Sequence, residues 1–130
     1  MFDTNIPDFF APAEKGVYET YLDGISTHTD QYFVAEHDGR IVGAGGRDGA
    51  RIRWVMVHRG VQRMGVGRLV VMKLLRDIGR EGHEVSTLAT GALVYPFYEK
   101  LGYRIVEVIK DGFVPGYDRV EMAKKLQVCA

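Results

Sequence analysis

The sequence predicts a mixed α/β domain: a mostly antiparallel sheet with one parallel strand–helix–strand crossover near its centre. Three observations predict it. Two Asp-Gly pairs, Asp38-Gly39 and Asp48-Gly49, join stretches rich in β-branched and aromatic residues, which is the signature of antiparallel hairpins. An amphipathic helical stripe over 66–80 stands between two apolar strand patterns, 51–58 and 85–90, as a parallel crossover requires. Two further strand patterns close the chain after a second helical segment.

Taken in order, residues 12–23 read as a short helix. Pro12 sits at a first-turn position, and Val17, Tyr18, Tyr21 and Leu22 recur at helical spacing. Residues 31–37 and 40–45 form the first hairpin, and 51–58 the third strand, with Ile52, Trp54 and Met56 expected on one face. A glycine-punctuated turn leads into the helix at 66–80. Its stripe is Val70, Val71, Leu74, Leu75 and Ile78; Arg68, Lys73, Arg76, Asp77 and Arg80 are left for solvent or ligand. Gly82 ends it. A buried strand at 85–90 precedes a helix at 92–101, in which Pro96 lacks an N–H, so that the helix starts late or kinks there, and which Gly102 stops. Strands at 103–110 and 119–126 follow, separated by a long turn at 111–118. The organisation is one domain over 1–130, with an acidic helical arm at 1–30 and a core at 31–126.

Composition excludes several classes. A chain of 130 residues suits one domain, and 46% hydrophobic with 26% charged residues is a globular balance. Seventeen basic against seventeen acidic side chains leave no basic surplus, so no nucleic-acid partner is expected. No apolar run approaches the roughly 20 residues of a membrane span, and the N-terminus does not read as a signal peptide, so a cytoplasmic, non-membrane protein is expected. The one cysteine, Cys129, and the histidines His28 and His83 show no metal-ligand spacing.

The charge is unevenly placed. Residues 1–38 hold eight acids and one base, whereas 51–76 hold seven bases and no acid. Two readings stay open: the halves neutralise each other across the fold, or the basic centre receives a small, highly charged anion. The segment Gln62-Arg63-Met64-Gly65-Val66-Gly67-Arg68 bears on that choice. Its two glycines let backbone N–H groups converge, the helix behind them adds unpaired donors and a partial positive charge, and Arg63 and Arg68 bracket the turn. Together these parts suit a pyrophosphate. Val70 replaces the third glycine of a dinucleotide fingerprint, and no Gly-Lys-Ser/Thr follows as in a P-loop.

The stretch from Gln62 to Gly67 resembles the pyrophosphate loop, Gln/Arg-x-x-Gly-x-Gly/Ala, of the GNAT superfamily of acyl-CoA-dependent N-acetyltransferases. Phe97-Tyr98-Glu99-Lys100-Leu101-Gly102-Tyr103 resembles the family's Phe-Tyr-x-Lys-x-Gly-Phe segment, and the resemblance spans about 31–126. It implies a GNAT-like fold, here with the usual first strand apparently absent before the hairpin. It implies acetyl-CoA as cosubstrate, with no metal, and a primary amine of a small molecule or peptide as acceptor. Backbone groups of Val55, Met56 and Val57 would hold the acetyl carbonyl and pantetheine arm. Gln62, Arg63, Met64, Gly65, Val66, Gly67 and Arg68 would wrap the pyrophosphate, and Tyr98 would protonate the departing thiolate. The alternative is a non-catalytic CoA- or acyl-CoA-binding regulatory domain of the same fold, to which Gly91, in place of a frequent cofactor-contacting asparagine, points. An unpaired sheet edge where the first strand is missing suggests a homodimer.

The general base is not legible. His58, Glu36, His37 and Asp118 are the candidates, against structural readings as a strand end, the flanks of a turn and a loop anchor. Trp54 reads as core or as a substrate platform. Arg51 and Arg53 read as a solvated edge or as receivers of an acceptor carboxylate. Phe113 and Tyr117 are candidates for acceptor specificity.

Overall fold

The structure, a computed structural model, describes residues 31–58 and 65–126. The helix expected at 12–23 and the loop residues Gln62, Arg63 and Met64 lie outside them. The elements are β1 (Gln31–His37), β2 (Arg40–Asp48), β3 (Arg51–Val57), α1 (Val66–Arg80), β4 (Val85–Thr90), α2 (Tyr95–Lys100), β5 (Arg104–Val114) and β6 (Tyr117–Lys125). They form a six-stranded sheet in the order β1-β2-β3-β4-β6-β5. Every neighbouring pair is antiparallel except β3 and β4, the parallel crossover around α1. Among the described residues no strand precedes β1, which stands at one edge of the sheet.

The first hairpin turns where expected, with Asp38 and Gly39 both at positive φ (52° and 76°). Strand β2 runs three residues beyond the expected end at Gly45, and its glycines explain the difference. A Cβ built on Gly43 would stand 2.7 Å from Val66 Cγ1, and one on Gly45 2.6 Å from Val70 Cγ1. These glycines do not break the strand; they let α1 lie closely on it. The apolar stripe of α1 is buried as expected, and Ile52, Leu88, Val120 and Met122 complete the core beneath it.

Three other expectations are corrected. Helix α2 begins at Tyr95 and not at 92, so of the two outcomes expected of Pro96 the late start holds: it sits in the first turn, where a missing N–H costs no helical bond. Strands β5 and β6 extend into the expected long turn and meet at Pro115-Gly116. The ladder there is interrupted between Ile109 and Val114, and Asp118 Oδ1 accepts a bond from Asp111 N (3.0 Å), so Asp118 anchors the hairpin tip. Lastly, Ile52, Trp54 and Met56 do not share a face. The register steps from Gly46↔Arg53 to Ala44↔Met56, which leaves an extra residue in β3, and Trp54 lies at φ 53°. This β-bulge shifts the alternation by one. Ile52 and Val55 pack against the helix-side core, whereas Met56 is buried opposite Ala44, outside that core cluster.

At the far end of α1 from Gly65 the polar groups are closed among themselves. Arg47 is 8% exposed. It pairs with Glu81 and donates to Gln31 Oε1 (2.8 Å) and Gly49 O (3.0 Å). Gln31 Nε2 donates in turn to Asp77 Oδ2 (3.1 Å), which Lys73 also binds. The bond to Arg47 holds the Glu81 carboxyl below its ordinary pKa, and the bond to Lys73 does the same for Asp77.

Candidate active site

The crossover strands part soon after they meet. β3 and β4 share one registered pair, Arg51↔Thr87, supported by Thr87 N donating to Ala50 O (3.1 Å). Beyond it β3 remains laddered to β2 as far as Val57, and β4 to β6 as far as Thr90, with no further paired position between them. A cleft therefore opens toward the C-terminal ends of the two parallel strands. The Trp54 bulge sits on one wall, which sends Val55, Met56 and Val57 up that wall as a strand that β4 does not pair.

The start of α1 lies beyond the open end of β3. Gly65 is its N-cap in the left-handed conformation (φ 84°), with no side-chain cap and no acidic residue in the first turn. The first helical bond runs from Leu69 N to Gly65 O (3.1 Å), so the N–H groups of the opening turn stay outside the helical ladder. The two loop glycines act differently. A Cβ on Gly65 would meet none of the described residues within 4 Å, so backbone conformation demands this glycine, and the described residues leave space beside it. A Cβ on Gly67 would stand 3.3 Å from both Phe97 Cζ and Val57 Cγ2. Gly67 therefore seats the helix start against β3 and α2. A helix start without a side-chain cap, space left by the described residues and no acid in the first turn together fit a diphosphate.

Helix α2 brings Tyr98 back over β4. After Thr90 the Gly91 carbonyl accepts bonds from Val94 N and Tyr95 N (3.1 Å each), which turns the chain into the helix. Tyr98 is 6% exposed and packs edge-on against Phe97 and Tyr103 at centroid distances of 4.9 and 5.8 Å. Its Oη makes no hydrogen bond among the described residues. Burial lifts its phenol well above the usual tyrosine range, and Tyr103 adds to the effect. Tyr103 is also buried, but its hydroxyl meets Ser86 Oγ at 2.8 Å; burial pushes its phenol up to about 12, against the lowering effect of that bond. An unmade bond at a buried hydroxyl costs about 1–3 kcal/mol.

Comparison with known proteins gives this cleft its context. A family model described as "Acetyltransferase (GNAT) domain" matches residues 28–105, more than half of the chain. The chain belongs to the GNAT acetyltransferase family. No curated protein matches it significantly in sequence. Solved GNAT structures share its fold at low identity. A GNAT family acetyltransferase from Elizabethkingia anophelis with acetyl-CoA bound is 17% identical, with a TM-score of 0.73 over 96% of this chain and 90% of its own. An aminoglycoside 6′-N-acetyltransferase complexed with coenzyme A is 18% identical, with a TM-score of 0.73 over 90% of this chain and 88% of its own. The ribosomal-protein-S18-alanine N-acetyltransferase from Escherichia coli is 16% identical, with a TM-score of 0.71 over 86% of this chain and 78% of its own.

Within this GNAT domain the two sequence motifs meet physically, because Gly67 of the first faces Phe97 of the second. Val55, Met56, Val57, Gly65, Val66, Gly67 and Tyr98 all lie on elements that border the cleft, and Arg68 is exposed on the first turn of α1. The candidate bases are dispersed, and of them His58 directly follows a cleft strand. Glu36 and His37 end β1, two strands away, where His37 Nε2 approaches Asp38 Oδ2 at 3.3 Å. His58 is exposed past the end of β3. Arg51 already holds a carboxylate: its Nη2 lies 3.2 Å from Glu121 Oε1, which Arg119 also binds at 2.8 Å. Phe113 stacks under the Arg119 guanidinium (5.8 Å), so the hairpin tip is tied to this ion cluster. Sequence reasoning missed Glu121, Arg47 and Thr90. Arg47 had a visible signal, a lone arginine inside a run of small and apolar strand residues; the other two needed the register.

Proposed function

We propose that this GNAT domain is an N-acetyltransferase that moves an acetyl group from acetyl-CoA to a primary amine of a small molecule or peptide. The observation that carries the reading is Tyr98: a buried phenol with no partner among the described residues, on the helix that follows one wall of the cleft. Bound acetyl-CoA would supply an acyl carbon activated by a sulfur leaving group. The N–H groups at the start of α1 bind the diphosphate, and the backbone of Val55, Met56 and Val57 takes the pantetheine arm along the strand edge that β4 leaves. Tyr98 donates its phenolic proton to the sulfur as the bond to the acyl carbon breaks. Burial keeps that phenol protonated throughout the ordinary pH range, so the donor form is always present. The CoA and acetyl-CoA held by two of the solved GNAT structures support this choice of cosubstrate.

One observation favours a second reading, a non-catalytic CoA-binding regulatory domain. Among the described residues, Glu36 and His37 lie two strands from the cleft, Asp118 is bonded within its own hairpin, and Glu121 is clamped by two arginines. A screen of acetyl-CoA consumption across small amines and N-terminal peptides, run beside CoA-dependent thermal shifts, separates the two. Turnover is the expected result. Binding without turnover on any acceptor would establish the regulatory reading, and neither signal would overturn both.

A further inference from the structure

We infer that Thr90 supplies a second hydrogen-bond donor at the sulfur of the acyl-CoA, beside Tyr98. The inference rests on the acetyl-CoA reading of the cleft. Along β4, Ser86, Leu88 and Thr90 are buried in alternation, so all three side chains lie on the helix-covered face. Ser86 Oγ is satisfied by Tyr103. Thr90 is only 8% exposed, and its hydroxyl makes no hydrogen bond among the described residues. Two like groups on one face of one strand thus differ in a single respect: Ser86 stands at the closed end of the cleft and Thr90 at the open end.

Position says what Thr90 faces. Three residues beyond the Arg51↔Thr87 pair bring β4 to Thr90; with the extra residue of the bulge, β3 is then at Val55. Thr90 is therefore level with the bulge, across the cleft from the backbone assigned to the acetyl end. Its own backbone is fixed opposite Val120 of β6, and the Gly91 turn returns Tyr98 over the same face. In the transfer, the amine lone pair forms the bond to the acyl carbon and the carbon–sulfur pair goes to sulfur. The amine proton leaves to solvent, sulfur takes the proton of Tyr98, and Tyr98 regains one from solvent. Thr90 keeps its proton and lends a hydrogen bond to the charge building on sulfur. Burial makes a lone Tyr98 phenolate costly, which is why a second donor matters here.

The test is Thr90→Val, which keeps the shape and removes the hydroxyl, with Thr90→Ser as rescue. Binding of CoA and of desulfo-CoA is measured by calorimetry about one unit above the ordinary thiol pKa of roughly 8.5, where free CoA is largely thiolate. Thr90→Val should weaken CoA about tenfold or more, leave desulfo-CoA unchanged, and raise the pKa of the bound thiol read from thiolate absorbance. Thr90→Ser should restore all three. The melting temperature of the unliganded variant should hold or rise, since the lost hydroxyl has no partner among the described residues. An unchanged ratio of CoA to desulfo-CoA affinity would overturn the inference. So would a lower melting temperature with both ligands weakened alike, which would make Thr90 a packing residue. Wild-type protein that binds neither ligand would instead overturn the acetyl-CoA reading itself.

Discussion

Tyr98 and Tyr103 are five residues apart, both buried, and their rings touch, yet they sit in different kinds of surroundings. Tyr103 closes its hydroxyl on Ser86 where β3 and β4 still pair; the Tyr98 hydroxyl, where the strands have parted, has no partner among the described residues. The same contrast runs along α1. At its far end Arg47, Glu81, Gln31, Asp77 and Lys73 satisfy one another, while at its start Gly65 offers no cap to the first N–H groups. Polar groups closed on the protein stabilise it. Polar groups that the described residues leave open at a buried place are where a ligand can bind.

The sharpest way to break this comparison is to remove each phenol hydroxyl in turn. Tyr98→Phe should lower kcat on the order of 10²-fold at saturating acetyl-CoA, with no loss of melting temperature. Tyr103→Phe should do the reverse, leaving kcat nearly unchanged and costing about 1–2 kcal/mol in a denaturant titration, because Ser86 is stranded in the core. Equal rates for Tyr98→Phe and wild type would place Tyr98 with Tyr103 as a packing residue.

The open end of α1 can be tested through its cap. Acetyl-CoA at a hundred times its dissociation constant should stabilise the wild type by roughly 2.7 kcal/mol. Gly65→Val should abolish that shift, since a side chain would enter the open space beside the uncapped N–H groups. The positive φ should also cost the unliganded protein about 1–2 kcal/mol. A full ligand shift in this variant would move the diphosphate elsewhere.

The closed end predicts a smaller effect that depends on pH. Arg47→Ala should cost about 2 kcal/mol at neutral pH, with ligand binding intact. In the folded protein the Glu81 and Asp77 carboxyls titrate below their ordinary values of 4.5 and 3.8. A depressed folded pKa stabilises above the unfolded value and ceases to do so as pH falls through the folded one. The gap in melting temperature between wild type and Arg47→Ala should therefore hold above about pH 4.5 and narrow as pH falls through the depressed value of Glu81, whose chief partner is Arg47; Asp77 keeps its bond to Lys73 in the variant. A gap that does not change with pH would mean that Arg47 acts by packing alone.

Much of this was legible in the sequence, for physical reasons that differ by region. The boundaries of α1 and β4 matched because the stripe from Val70 to Ile78 and the run at 85–90 have unambiguous periods. Strand β2 was cut short because glycine reads as a breaker until a helix is known to lie over it. Ile52 and Met56 were placed on one face because a bulge has no local signature here: the alternation Ile52, Trp54, Met56 looks regular until β2 is set beside it. Of the site, the glycine loop and Tyr98 were visible as motifs. Thr90 was not, because what distinguishes it is a bond that is missing, and a missing bond has no residue type.

The bulge at Trp54 also has a consequence for descent. One additional residue in a strand acts on side chains as a frameshift acts on codons: everything downstream changes sides. Insertion or deletion at this single position would exchange Val55 and Val57 for Met56 on the helix-covered face without substituting any of them. Gain or loss of one residue here is thus a larger event than most replacements, and related chains are best aligned outward from the bulge in both directions rather than through it.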